Sequence, residues 1–303
     1  MRLHLPARPP FNFLSTVRSH GWYQLAPLEW DDEAQVLRKP ELLTSGQVVM
    51  LTVTGDKNGI TVKSEGGQGH TREAAEIAQK MTWMFALDKD LSAFYALAAL
   101  EPRLAHCVSQ AHGRLLRSTT VWEDVVRTLM TTNIQWSGTK RLVKQLVTHF
   151  GEPARGAPGR HAFPAAAKIA RSHEATVRKL GFGYRAPYLL KLAKGVASGE
   201  IDLDALRDPA LPAAEVRQKL IALPGIGPYA AATLLGILGH HGHIPVDTEA
   251  VSAVSTYFYG GAPVAAKEIK TRLSKSYLPH IGIVHRLCRV VSPTRILVAS
   301  LWA

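Results

Sequence analysis

Apolar and polar residues follow two different periods along this chain, and the change of period divides it. Residues 46–67, "GQVVMLTVTGDKNGITVKSEGG", hold two β-branched runs on either side of Asp56-Lys57-Asn58-Gly59. Such runs around an Asn-Gly turn predict an antiparallel hairpin. "WYQLAPLEW" at 22–30 is a weaker strand candidate. In "TREAAEIAQKMTWMFALD" (71–88) the apolar residues return at helical spacing. Beyond about residue 103 almost every segment reads as helix: 121–132, 138–151, "PAAAKIARS", "EATVRKL", "APYLLKLAKGVASG", 212–222, 228–240, "AKEIKTRLSKSYL" and "IVHRLCRVV". Residues 151–163, rich in Gly and Pro, read as a loop. The predicted class is α+β. A small antiparallel β domain with trailing helices spans 1–105, and an all-α domain spans 106–303.

Composition narrows this picture. The 303 residues are 46% apolar, an ordinary globular content, and suffice for one large or two smaller cores. The formal charge of +12 favours an anionic partner, nucleic acid first. Only two cysteines are present, Cys107 and Cys288. They cannot build a disulfide framework, a four-cysteine zinc site or a four-cysteine iron–sulfur cluster, and both read as reduced core residues. No signal peptide and no membrane span is expected, so the predicted location is the cytoplasm, at the bacterial nucleoid through DNA binding. The histidine run "GHHGH" (239–243) reads as a loop rather than a zinc site.

The predicted helices over 212–222 and 228–240 are joined by "LPGIGP" (223–228). Pro224 stops the first helix, the glycines supply unusual backbone angles, and Pro228 suits the first turn of the next. The free N–H groups of such a helix start form an anion site. A plain tight turn would use the same residues. Some twenty residues on, Asp247 stands in "IPVDTEAV" before an apolar helical segment. It reads as a helix N-cap. A helix start also holds a carboxylate ionised, and an anion of that kind suits a reaction that builds positive charge on a sugar.

The whole string "LPGIGPYAAATLL" resembles the helix–hairpin–helix element of the HhH-GPD DNA glycosylase superfamily, and Asp247 follows it at the family's distance. The resemblance covers about residues 110–292. It implies that Gly225, Ile226 and Gly227 bind a DNA phosphate through backbone, and that the carbonyls of Ile221, Leu223 and Gly225 hold Na+ or K+. It makes Asp247 the catalytic group. The hairpin lysine that forms a Schiff base in some members is Tyr229 here, which implies no strand cleavage. Tyr229 becomes a wall of the base pocket, or else a core residue. Glu249 stands where some members have a histidine.

"LMTTNIQWSGTKRLVKQLVTHFG" (129–151) resembles the helix pair whose loop inserts into the duplex. It gives Asn133, Ile134 and Gln135 as a wedge, with Trp136 as a pocket residue. "VRKLGFGYRAPYLLKLAKG" (177–195) resembles a stretch that places Tyr184 and Arg185 at phosphate, with Lys191 within reach. On the bland reading Tyr184 is core and the cations are solvated. His280 is the match for an aromatic pocket residue. Together these imply a monomeric, monofunctional enzyme of base excision repair that requires no cofactor. It would flip a damaged purine out of double-stranded DNA. The missing lysine favours the 3-methyladenine glycosylase II branch, whereas "NIQ" and "GFGYRAPY" lean toward the 8-oxoguanine branch. A catalytically inactive DNA-binding protein stays open.

Overall fold

The computed structural model describes residues 1–100, 102–242, 251–252, 255–256, 259–265 and 267–268. Its first part is one antiparallel sheet of β1 (Arg2–Pro6), β2 (Glu29–Asp31), β3 (Val36–Leu42), β4 (Val48–Gly55) and β5 (Gly59–Glu65), in the order β1-β5-β4-β3-β2. The expected hairpin is β4–β5. Asp56 closes it by accepting the amides of Asn58 at 2.7 Å and Gly59 at 3.2 Å. The candidate strand at 22–30 is mostly something else: Gly21–Gln24 forms a 3₁₀ turn, and only Glu29–Asp31 is extended.

The described helices follow the expected periodicity, while the segments "AKEIKTRLSKSYL" and "IVHRLCRVV" lie outside the described residues apart from 267–268. The short α1 (Phe13–Val17) precedes β2, and α2 (Thr71–Phe85), α3 (Ser92–Leu100) and α4 (Ala105–Ser109) follow the sheet. The remainder comprises α5 (Val121–Met130), α6 (Trp136–Phe150), α7 (Ala166–Ala170), α8 (Glu174–Val177), α9 (Arg185–Ser198), α10 (Ala213–Ala222) and α11 (Pro228–Leu238). Among the described residues no helix is long and apolar enough to cross a membrane. A single apolar cluster contains Val17, Leu51 and Phe85 together with Val126, Leu146, Leu189 and Leu235. The packing therefore runs without interruption across residue 105. Cys107 is buried, and burial pushes its thiol up to about 12; Cys288 lies outside the described residues.

The sheet and helices are joined by buried charge. Every residue of α5 except Trp122 is buried, including Glu123, Asp124 and Arg127. The Lys39 ammonium on β3, 3% exposed, pairs with Glu41 and donates to Thr119 at 2.6 Å and Glu123 at 3.0 Å. Lys80 on α2 reaches the other Glu41 oxygen at 2.8 Å. One turn along α5, Arg127 lies 2.6 Å from Glu123. Burial alone would raise the Glu41 carboxyl; the Lys39 and Lys80 charges outweigh it and hold the group below its ordinary 4.5. A depressed carboxyl stabilises the fold above its unfolded pKa, and that contribution is lost as pH falls through the folded value.

Removing one member of such a buried set costs about 3–5 kcal/mol, because a charge is left uncompensated. Lys39→Met is therefore expected to lower urea-unfolding stability by about that amount at pH 7. The gap to wild type should narrow as pH falls through the Glu41 titration. A gap independent of pH would separate Glu41 from the effect.

Candidate nucleic-acid interface

Helices α10 and α11 meet at the turn 223–227. Leu223 and Ile226 are buried and anchor it, and the Ile226 amide donates to the Leu223 carbonyl at 3.1 Å. The two glycines serve different ends. Gly225 has φ +77°, and a Cβ there would come within 2.7 Å of Leu129 on α5 and 2.9 Å of Tyr188 on α9. It is glycine for both conformation and space. Gly227 has an ordinary φ of −86°, and a Cβ there would meet nothing within 4 Å. Pro228 opens α11, whose first bond runs from the Ala231 amide to the Gly227 carbonyl at 2.9 Å. The amides of Gly225 and Gly227 find no acceptor among the described residues. The turn thus combines two uncommitted N–H groups with the positive end of α11, which is the chemistry of an anion site.

Buried Ala230 and Ala231 let α11 pack on α10 and α5. At its far end Arg117 donates to the Ile237 carbonyl at 2.7 Å, and burial lowers that guanidinium to about 10. Tyr229 is 38% exposed beside the turn, and Tyr184 and Tyr188 on the α9 side are exposed too. Tyr188 was not expected at the site. Its position four residues after Tyr184, on the same helical face, was the available signal.

The loop 131–135 between α5 and α6 is held tightly. Asn133 and Gln135 are exposed, and Asn133 takes the left-handed φ of +48°. Three of the expected site residues make contacts within the protein. Ile134 does not project with its neighbours; it folds back so that a Cβ on Gly138 would lie 2.6 Å from it. Trp136 is no free pocket wall: its ring fills the space beside Gly21, and its Nε1 donates to Gln24 at 2.8 Å. Arg185 is 5% exposed and donates to the Thr132 carbonyl, so its guanidinium is spent inside the protein rather than on phosphate. Tyr184 donates to the same carbonyl at 3.1 Å, with the Arg185 guanidinium 4.5 Å from its ring centre. Asp247, Glu249 and His280 lie outside the described residues.

The sequence profile of the HhH-GPD superfamily base excision DNA repair proteins matches residues 126–279, half of the chain. The chain belongs to this superfamily. HhH-GPD relatives include an N-glycosylase/DNA lyase of Saccharomyces cerevisiae, 26% identical over 180 residues, which are 50% of this chain and 48% of that protein. This chain's match therefore spans about half the length of that relative. The HhH-GPD fold is also that of a 3-methyladenine DNA glycosylase from Archaeoglobus fulgidus, with TM-score 0.77, 19% identity and coverage of 96% and 97% of the two chains. The 8-oxoguanine glycosylase/lyase of Clostridium acetobutylicum, in complex with double-stranded DNA containing cytosine opposite 8-oxoG, superposes with TM-score 0.69. It is 16% identical, over 91% of this chain and 92% of that one.

The two hairpin glycines of this HhH-GPD chain should respond differently to a methyl group. Gly225→Ala is expected to cost about 1–3 kcal/mol in thermal unfolding through overpacking and strain. Gly227→Ala should leave the melting temperature unchanged while weakening duplex binding in fluorescence anisotropy. Full affinity in Gly227→Ala would show that no phosphate approaches that face.

Proposed function

We propose that this protein is a monofunctional DNA glycosylase of base excision repair. It removes an alkylated purine from double-stranded DNA and leaves an abasic site. The observation that carries the reading is the hairpin. Two uncommitted amides at a helix start sit beside a loop whose exposed Asn133 and Gln135 are suited to fill the gap left by a flipped base. Membership of the HhH-GPD superfamily supports it.

In the proposed reaction the hairpin grips the phosphate chain while the damaged base swings into a pocket walled by Tyr229, which can stack on it. Asp247 stays ionised. As the glycosidic bond breaks, positive charge develops on the sugar, and the carboxylate stabilises it and accepts a proton from the attacking water. A cationic alkylated base already leaves readily, so a single carboxylate and an electron-rich ring suffice. The carbonyls of Ile221, Leu223 and Gly225 are neutral oxygen donors suited to Na+ or K+; that of Leu223 accepts one amide and keeps a lone pair. A cation held there would strengthen the local field toward phosphate.

A second reading, excision of 8-oxoguanine, is favoured by the fold shared with the 8-oxoguanine glycosylase/lyase of Clostridium acetobutylicum. Tyr229 speaks against a lyase step in either case, since a phenol forms no imine.

A panel of duplexes carrying 3-methyladenine analogues, 7-methylguanine or 8-oxoguanine, scored for abasic sites, separates the readings. Excision of alkylated purines is expected. It should fall by at least about 100-fold in Asp247→Asn, the scale of a lost electrostatic stabiliser. Borohydride should trap no covalent complex. Excision of 8-oxoguanine alone would select the second reading, and binding without excision of any lesion would leave a DNA-binding protein.

A further inference from the structure

The loop 131–135 is fixed at both ends by side chains from distant parts of the sequence. At its start the Thr132 carbonyl receives Arg185 and the Tyr184 hydroxyl, and the Thr132 hydroxyl donates to the Leu129 carbonyl at 2.9 Å. At its end Trp136 lies on Gly21 and donates to Gln24, both in the N-terminal part. Between them Ile134 folds onto Gly138, and the Thr139 amide donates to the Gln135 carbonyl at 3.1 Å. Asn133 is left on top in the left-handed region, which asparagine tolerates better than most residues. Arg185 bears a buried guanidinium with no carboxylate in ion-pair range among the described residues, and its Nε has no partner. Its guanidinium donates to one loop carbonyl, that of Thr132, and lies against the Tyr184 ring.

We propose that Arg185 and Trp136 are positioning residues that hold the insertion loop in its working shape before DNA arrives. The proposal rests on the glycosylase reading. Ordering a five-residue loop at the moment of binding would consume binding energy; a loop ordered in advance keeps that energy for unstacking the target. Neither residue touches the reacting atoms. Both act through the position of Asn133 and Gln135, so their effect should scale with the work of opening a base pair.

That scaling gives the test. Single-turnover excision is measured on the same lesion in two duplexes, one with the lesion paired and one with it in a single-nucleotide bulge. Extrusion from the bulge needs little unpairing. Arg185→Met keeps the apolar stem and removes the donors. It should slow excision by about tenfold on the paired lesion and by under about threefold on the bulge. Arg185→Lys, which restores one donor, should recover part of the loss. Asn133→Gly keeps the loop backbone and removes the inserted amide, and should show the same split. Gly21→Ala, which pushes on the Trp136 ring, should follow it. Equal losses on the two duplexes, or no loss on either, would overturn the positioning role while leaving the glycosylase reading intact. Absence of excision by wild type on every duplex would overturn the glycosylase reading itself, and this inference with it. The bulged substrate doubles as the control for folding.

Discussion

The position of α5 is the constraint from which the rest of the structure follows. It is a ten-residue helix buried on almost every side, yet it carries Glu123, Asp124 and Arg127 inside the protein. Each charge has an assigned partner. Glu123 meets Lys39 and Arg127, and Asp124 accepts from the Trp22 ring at 2.7 Å and the Ser118 amide at 2.9 Å. Arg127 also donates to the Ala26 carbonyl at 3.2 Å. Sliding or rotating α5 would strand several of these charges at once in a medium that penalises them heavily. Leu129 of this helix lies under Gly225, and the helix ends directly in the loop 131–135. Hairpin and loop therefore share one mount, and their separation is set by it.

The N-terminal part is consequently more than an appendage. Its β3 supplies the Lys39 and Glu41 side of the charge set, and its Gly21–Gln24 turn receives Arg127 nearby and Trp136 directly. These contacts lie at both ends of the segment from α5 to the start of α6. A sheet that brackets the loop in this way contributes to the geometry of the proposed DNA-facing surface.

What could be read from sequence is what repeats or is chemically singular. The β4–β5 hairpin announced itself by its turn, the longer helices by their period, and the α10–α11 turn by Gly and Pro, and all stand where expected. The losses share one cause: a sequence shows charge and aromaticity but not burial. The strand β3, "VLRKPEL", hides a buried strand behind Lys39 and Glu41, and its Pro40 is tolerated because β2 pairs only as far as Arg38. The strand β1 is a short edge with half-buried side chains, too weak a pattern to stand out. Arg185 looked like a phosphate ligand because guanidinium usually is one at a DNA surface. Only the fold reveals that a backbone carbonyl has claimed it. The inward contacts of Trp136 and Ile134 were hidden for the same reason, since the residues they cover, Gly21 and Gly138, are invisible as partners until the chain is folded.

The groups exposed on the described part of this surface have a chemical character of their own. With Arg185 buried and Trp136 held against Gly21 and Gln24, the described face of the turn and loop presents backbone amides, the exposed rings of Tyr184, Tyr188 and Tyr229, and the exposed amide side chains of Asn133 and Gln135. None of these is a strong nucleophile or a titrating base near neutrality. On the proposed reading these groups grip, stack and fill. The chemistry then enters from Asp247, and a glycosidic bond already inclined to ionise makes the smallest demand on one carboxylate and water. The glycosidic bond of a cationic purine meets that condition far better than that of a neutral base. On the proposed reading, the leaving group carries part of its own activation and the arrangement of α5, the hairpin and the loop supplies position.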